Sequence, residues 1–239
     1  MSHPTLPNKD YTIWPLKMPR AILISIEGNI GSGKSTILER MKVKYPNFHY
    51  IPEPVSEWSN YMNESGKNIL ELFYENKQRY AYTFQTMAFI TRVINISKTI
   101  KEWQEACVTN PELEKHNIFV TERCIETDYN VFAKMLYDDG LIDKVEMDLY
   151  LTWFNHLKER CDVDAIIHVT TPPTICSQRI GIRNRSGEEG IPMAYLESLH
   201  TYHERWLTPI NVPVMRFNND GKGADNTLQD IGQFILTLI

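Results

Sequence analysis

Gly28, Gly33, Lys34 and Ser35 fall into the pattern G-x-x-x-x-G-K-[ST] inside SIEGNIGSGKST, residues 25–36. That pattern is suited to holding a polyphosphate. Its glycines let successive backbone N–H groups curl around phosphate oxygens, its lysine reaches the β- and γ-phosphates, and its serine hydroxyl joins the coordination of Mg²⁺. The cradle would run through Gly28, Asn29, Ile30, Gly31, Ser32, Gly33, Lys34, Ser35 and Thr36. A helix opening near Lys34 would point its positive end at the anion. The chain has no N-K-x-D element for reading guanine and no LSGGQ-like element of a transporter ATPase. A GTPase or a motor is therefore disfavoured, and a kinase acting on a small molecule is favoured.

Such a kinase needs a base for the attacking hydroxyl. Glu53 follows a short apolar run and precedes Pro54, and a carboxylate just beyond a strand end can take the proton of a primary hydroxyl. Gln85 and Arg92 are seven residues apart, two turns of helix, so they share a face. A lone glutamine or arginine on a helix is usually just solvated, and the glutamine amide carries both a donor and an acceptor. Asp128 and Phe132 are four apart and share a helical face as well. Arg179, Arg183 and Arg185 cluster ahead of a glycine-containing acidic loop. Arginines beside a phosphate cradle can stabilise the charge developing on a transferring phosphoryl group; the alternative is a solvent-facing basic helix end. His200 and His203 have no further metal-ligating set beside them, and they read as structural residues of a helix whose Trp206 and Leu207 pack inward.

The fold has to bring these residues together. AILISIE (21–27), FHYIPE (48–53), NIFVTE (117–122), AIIHVT (165–170) and VMRF (214–217) read as five buried strands, short, rich in Ile and Val, and bounded by turn or charged residues. The segments between them are long enough for one to three helices each, as parallel crossovers require. The fold class is α/β, a parallel sheet with helices, in a domain spanning 21–239 behind a proline-rich flexible arm at 1–20. In such sheets ligands sit beyond the carboxyl ends of the strands. The phosphate cradle, Glu53, TERC (121–124) and TPP (171–173) follow the first four strands in turn.

In this order and spacing, IPEPVSEW (51–58), YTFQT (82–86), TERC (121–124) and RIGIRNRSGEEGIP (179–192) resemble the deoxyribonucleoside kinase family, in its deoxycytidine and deoxyguanosine kinase form, from about residue 21 to 217. The resemblance implies a P-loop kinase with a five-stranded parallel sheet surrounded by helices and an arginine-rich lid. It implies ATP or another nucleoside triphosphate with Mg²⁺ as donor, a deoxyribonucleoside as acceptor, a homodimer, and a salvage step that feeds DNA-precursor pools. Glu53 would be the general base, with Arg123 near it and the 5′ oxygen, and Glu122 would help hold Mg²⁺ through water. Gln85 and Arg92 would read the base, Phe84 and Phe132 would flank it, and Val55, Trp58, Leu70 and Phe73 would close the slot. Tyr74 and Glu188 would grip the sugar 3′-hydroxyl. Arg179, Arg183 and Arg185 would form the lid, and Gly181, Gly187 and Gly190 would let it open and close. In the family an Arg–Asp pair like Arg92 with Asp128 goes with exclusion of thymine, which implies deoxycytidine, deoxyadenosine or deoxyguanosine over thymidine. Two departures stand out: Cys124 replaces the usual serine, and Gly221 and Gly223 occupy a region where relatives place an aromatic against the donor base, which implies loose donor discrimination.

Composition narrows the class further. Hydrophobic residues make up 42% of 239, enough for a core and against disorder. A net charge of −5 argues against a sequence-independent nucleic-acid binder. Four widely spaced cysteines without a CxxC pair argue against a disulfide framework or zinc site and fit a reducing compartment. There is no run of eighteen apolar residues for a membrane span, and the first twenty residues fit neither a secretory signal nor an Arg-rich presequence. A cytoplasmic location is expected, with a mitochondrial one left open. Segment 85–106 and the amphipathic helix whose solvated edges are Glu146, Asp148, Lys158, Glu159 and Arg160 are candidates for a four-helix dimer interface. A nucleoside monophosphate kinase would need to bind an acceptor phosphate, a thymidine-accepting kinase should lack the Arg92–Asp128 pair, and a non-catalytic structural relative should have lost some of Lys34, Ser35, Glu53, Glu122 and Arg123. All five are present.

Overall fold

The computed structural model describes residues 18–185, 187–188, 190–220 and 227–239. Most of the expected arm, and both Gly221 and Gly223, lie outside the described residues. Strands β1 (Ile22–Glu27), β2 (His49–Ile51), β3 (Ile118–Glu122), β4 (Ala165–Thr170) and β5 (Val214–Asn218) form one parallel sheet in the order β2-β3-β1-β4-β5. All five anticipated runs are strands, β2 being shorter than FHYIPE suggested. The central strands β1 and β3 are buried at every position. Helices cover both faces of a parallel sheet, so such strands are largely apolar throughout rather than alternating.

The helices are α1 (Lys34–Lys44), α2 (Val55–Trp58), α3 (Ile69–Glu75), α4 (Lys77–Thr109), α5 (Ile125–Thr127), α6 (Lys134–Asp138), α7 (Lys144–Leu157), α8 (Pro173–Arg183), α9 (Met193–Leu207) and α10 (Thr227–Leu236). Local chemistry sets several of their starts. Asn68 with Glu71 and Asp143 with Glu146 make reciprocal capping boxes ahead of α3 and α7. The Asn76 side chain accepts from the Arg79 N–H at the start of α4, whose 33 residues span about 50 Å. One face of the sheet packs Leu23 and Phe119 against Phe89 and Tyr150 of α4 and α7. The other packs Ile24 and Ile26 against Leu38 and Ile231 of α1 and α10.

Between α5 and α6 the expected α-helix is instead a single π-helical stretch, Asp128–Ala133. Such wide turns are rare and tend to occur at functional sites. This one follows the sharp turn after β3 and still turns Asp128 and Phe132 toward one cleft. The end of the expected arm is docked: Gln104 donates to the Pro19 carbonyl at 3.0 Å, and Arg20 pairs with Asp164.

Candidate active site

The phosphate loop leaves β1 at Gly28 and enters α1 at Lys34. Gly28 has φ 142°, and a Cβ there would lie 2.4 Å from the Val169 carbonyl oxygen; Gly33 has φ 98°, and a Cβ there would meet Asn219 at 2.4 Å. Neither position tolerates another residue without rearrangement. Lys34 donates to the Asn29 carbonyl at 2.8 Å inside the loop. Burial, with Arg123 beside it, lowers the Lys34 pKa to about 8 against the pull of Glu122, Glu53 and Glu27. Ser35 Oγ donates to Glu122 Oε1 at 2.9 Å. A hydroxyl in the first turn of α1 and a carboxylate at the end of β3 are the hard oxygen donors that Mg²⁺ takes alongside phosphate, so these residues fit that ion.

A cleft of about 510 Å³ runs from this loop to an apolar slot, and Glu53 and Arg123 stand among its walls. Glu53 Oε1 accepts from Arg92 Nη2 at 3.2 Å and lies 3.3 Å from Arg123 Nε. Burial alone would raise the Glu53 pKa, but Arg123, Arg92 and Lys34 outweigh it and hold the carboxyl below its ordinary value. Arg123 has φ 67°, donates to the Gly28 carbonyl at 2.9 Å, and lies 4.8 Å from the Phe132 ring centre. Arg92 donates to Asp128 at 2.8 Å and to the Glu122 carbonyl at 2.8 Å. Burial would lower the pKa of Arg92, yet Asp128 and Glu53 raise it, so its charge is permanent.

Val55, Trp58, Leu70, Tyr74, Phe84, Gln85 and Phe132 line the slot together with Ala88. Trp58 meets the Phe84 ring edge-on at 5.4 Å and donates to Thr91 Oγ1 at 3.0 Å. The Gln85 amide makes no hydrogen bond among the described residues and faces the cleft. Phe73 is a correction: it is 1% exposed and stacks behind Phe84 at 4.7 Å rather than closing the slot. Its α3 position turns it to the core, and its effect on the cleft passes through Phe84.

The lid arginines divide. Arg183 and Arg185 both pair with Glu188, which is 4% exposed. Arg179 is instead tied to main chain, donating to Ser32 O at 3.1 Å and Asn219 O at 2.8 Å. Gly181 lies inside α8 without a positive φ, and Gly190 has none either. Only Gly187, at φ 87°, takes a backbone shape that needs glycine, while Asn184 ends α8 at φ 48°. His203 is buried, donates from Nδ1 to the Leu199 carbonyl at 2.7 Å, and stacks on His168.

Two residues shape the loop: Thr171, which the sequence placed at the end of the fourth strand without a role, and Asn219, which sequence reasoning missed. Asn219 Nδ2 and Thr171 Oγ1 both donate to Ser32 O, at 2.8 and 3.0 Å. Both directly follow strands, β4 and β5, where polar residues mark a ligand edge, and that was the available signal. Asn29 is turned from the cleft, donating to Leu196 O at 2.8 Å.

A family profile described as deoxynucleoside kinase matches residues 24–235. The chain is 36% identical over 201 residues to deoxycytidine kinase 2 of Gallus gallus, covering 77% of this chain and 73% of that one. It is 34% identical over 246 residues to deoxycytidine kinase of Bos taurus, covering 90% and 91%. It is 30% identical over 229 residues to the mitochondrial deoxyguanosine kinase of Xenopus laevis, covering 85% and 83%. With a phosphate cradle, a carboxylate beside two arginines and an apolar slot joined in one cleft, the chain belongs to the deoxynucleoside kinase family, transferases that phosphorylate nucleosides for salvage.

Proposed function

We propose that this chain transfers the γ-phosphate of ATP, or of another nucleoside triphosphate, to the 5′-hydroxyl of a deoxyribonucleoside, with deoxycytidine, deoxyadenosine and deoxyguanosine preferred over thymidine. The observation that carries the reading is Glu53: a carboxylate held ionised by Arg92 and Arg123 on the wall between the phosphate loop and the slot. Its free proton-accepting capacity faces the place where a hydroxyl would enter. Arg123 orients that carboxylate and stabilises the oxygen as it attacks. Lys34, Arg183 and Arg185 gather negative charge spreading over the transferring group. Ser35 and Glu122 would hold Mg²⁺, whose contribution is neutralising charge between the donor phosphates.

Gln85 pairs with the base edge, Phe84 and Phe132 bound its faces, and Tyr74 and Glu188 take the 3′-hydroxyl. Glu188 is engaged by two lid arginines, so sugar recognition and lid position are linked through one carboxylate. The Arg92–Asp128 pair fills the space a 5-methyl group would need and offers an acceptor to an exocyclic amino group. Against an acceptor that already carries phosphate stands the pairing of Arg92, all three of whose guanidinium nitrogens are engaged by Asp128, Glu53 and the Glu122 carbonyl.

The functional unit is a homodimer through α4 and α7. Val145, Leu149 and Trp153 form an exposed stripe at helical spacing on α7, with Ile94 exposed on α4. The acidic net charge supports no nucleic-acid partner, and four buried free cysteines support a reducing, cytoplasmic setting. The test is ATP-dependent phosphorylation of the four deoxyribonucleosides by the wild type and Glu53→Gln. Turnover of the amino-bearing bases, little of thymidine, and collapse in the variant are expected. Strong thymidine turnover would overturn the base preference, and retained activity in Glu53→Gln would overturn the base assignment.

A further inference from the structure

We propose that Glu27 is a positioning residue whose carboxylate pins the turn carrying Arg123 to the mouth of the phosphate loop, so that the acceptor and donor halves of the site hold one register. The proposal rests on the role given to Arg123 above. Arg123 sits at φ 67°, a left-handed conformation that costs a non-glycine residue about 1–3 kcal/mol and persists only where surroundings enforce it. The enforcement is visible. Three donors of the Arg123–Cys124 turn reach three consecutive residues: Arg123 N to Ile26 O at 3.1 Å, Cys124 N to Glu27 Oε1 at 2.8 Å, and Arg123 Nη1 to Gly28 O at 2.9 Å.

Two of those acceptors are backbone carbonyls, which any sequence would present. The middle one is a side chain and depends on the residue type. Ser25 Oγ donates to the same Oε1 at 2.5 Å and fixes its direction. Glu27 and Cys124 are both 0% exposed, and among the described residues Glu27 Oε2 has no hydrogen-bond partner. Burying a carboxyl with one oxygen unsatisfied opposes folding, so packing alone would favour an apolar residue here. Glu27 is also the last residue before Gly28 and is absent from the cleft wall. It touches neither donor nor acceptor and acts through the turn.

The test separates reach from charge. Glu27→Gln keeps the chain length and an acceptor oxygen, whereas Glu27→Asp keeps the charge and withdraws the oxygen by one methylene. The readouts are kcat, both KM values, and alkylation of each cysteine by iodoacetamide, followed by peptide mapping of the full-length protein. In Glu27→Asp, kcat is expected to fall about tenfold or more with both KM values within about threefold of wild type. Cys124 should be alkylated faster while Cys107, Cys161 and Cys176 keep their rates. Glu27→Gln should hold kcat above that of the Asp variant and keep Cys124 protected. A larger loss in Gln than in Asp would overturn the proposal in favour of charge. Unchanged Cys124 protection in Asp, or equal acceleration of all four cysteines, would overturn it in favour of no pin or general loosening. Failure of the underlying reading shows elsewhere, as an Arg123→Ala enzyme with intact kcat.

Discussion

Arg92 gives Asp128 two hydrogen bonds, from Nε at 2.8 Å and Nη2 at 3.3 Å, and each residue is only 2% exposed. Removing one partner of a buried pair strands the other charge, which typically costs about 3–5 kcal/mol. Asp128→Ala should therefore lower the thermal midpoint markedly, leaving Glu53 as the one carboxylate against the Arg92 guanidinium. Arg92→Leu with Asp128→Ala removes both charges, so part of the lost stability should return. The same double variant opens room beside the base and should raise thymidine turnover relative to deoxycytidine. A double variant that folds and still refuses thymidine would sink the exclusion role.

Glu53 gives a pH signature as well as a mutational one. Its pKa is held below the ordinary 4.5 because Arg123, Arg92 and Lys34 outweigh burial. Glu53, the proposed base, therefore stays ionised through mild acid, and kcat/KM should show no acid limb from it until the pH falls below that value. The stability it contributes is present above the unfolded pKa and is lost as pH falls through the folded one. Glu53→Gln should lower kcat by roughly 10²–10⁴ with a much smaller change in nucleoside KM. An acid limb well above pH 5, or a Gln variant within about tenfold of wild type, would contradict the assignment.

Lys34 behaves in the opposite sense. Folding lowers its pKa to about 8, so below that pH its buried charge opposes folding by on the order of 3 kcal/mol, and the penalty fades as pH rises toward the unfolded value. A bound triphosphate should restore the charge. At pH 8.5, ATP binding is thus expected to take up more than about half a proton, read by calorimetry in buffers of different ionisation enthalpy. Lys34→Met should abolish the uptake. Uptake that survives in Lys34→Met would assign the proton to another group.

Much of this site is legible in the sequence because strand ends dictate it. The motif at Gly28–Ser35, Glu53 and the Thr121–Cys124 run each follow an apolar run that the sheet turns into a strand, so sequence order alone brings them to one edge. Gln85 and Arg92 follow from helical periodicity, and both line the cleft. What periodicity does not carry is the choice among neighbouring faces. Phe73 and Tyr74 are adjacent on α3, yet Tyr74 lines the cleft and Phe73 stacks behind Phe84. Nor does it carry tertiary hydrogen bonds. Arg179 reads as a free cation until Ser32 and Asn219 present carbonyls to it. The π-helical turn at Asp128–Ala133 likewise departs from the 3.6-residue period that the sequence pattern assumes.

The exposed face of α7 supplies the remaining prediction. Val145, Leu149 and Trp153 are 67%, 49% and 51% exposed at four-residue spacing, with Ile94 at 53% on the neighbouring α4. Removing large apolar side chains aligned along one helix from water is favourable by roughly 25 cal/mol per Å². In the proposed dimer a second copy presenting the same stripe would cover it through a twofold contact, since a self-complementary patch closes on itself. Trp153→Glu puts a charge within that stripe and, in a twofold arrangement, a like charge on the facing copy. Light scattering should then give the mass of one 27.9 kDa chain where the wild type gives twice that, with the monomer still folded because Trp153 supports no part of the buried core. A wild-type protein that already runs as a monomer at micromolar concentration, or a Trp153→Glu variant that stays dimeric, would place the contact elsewhere.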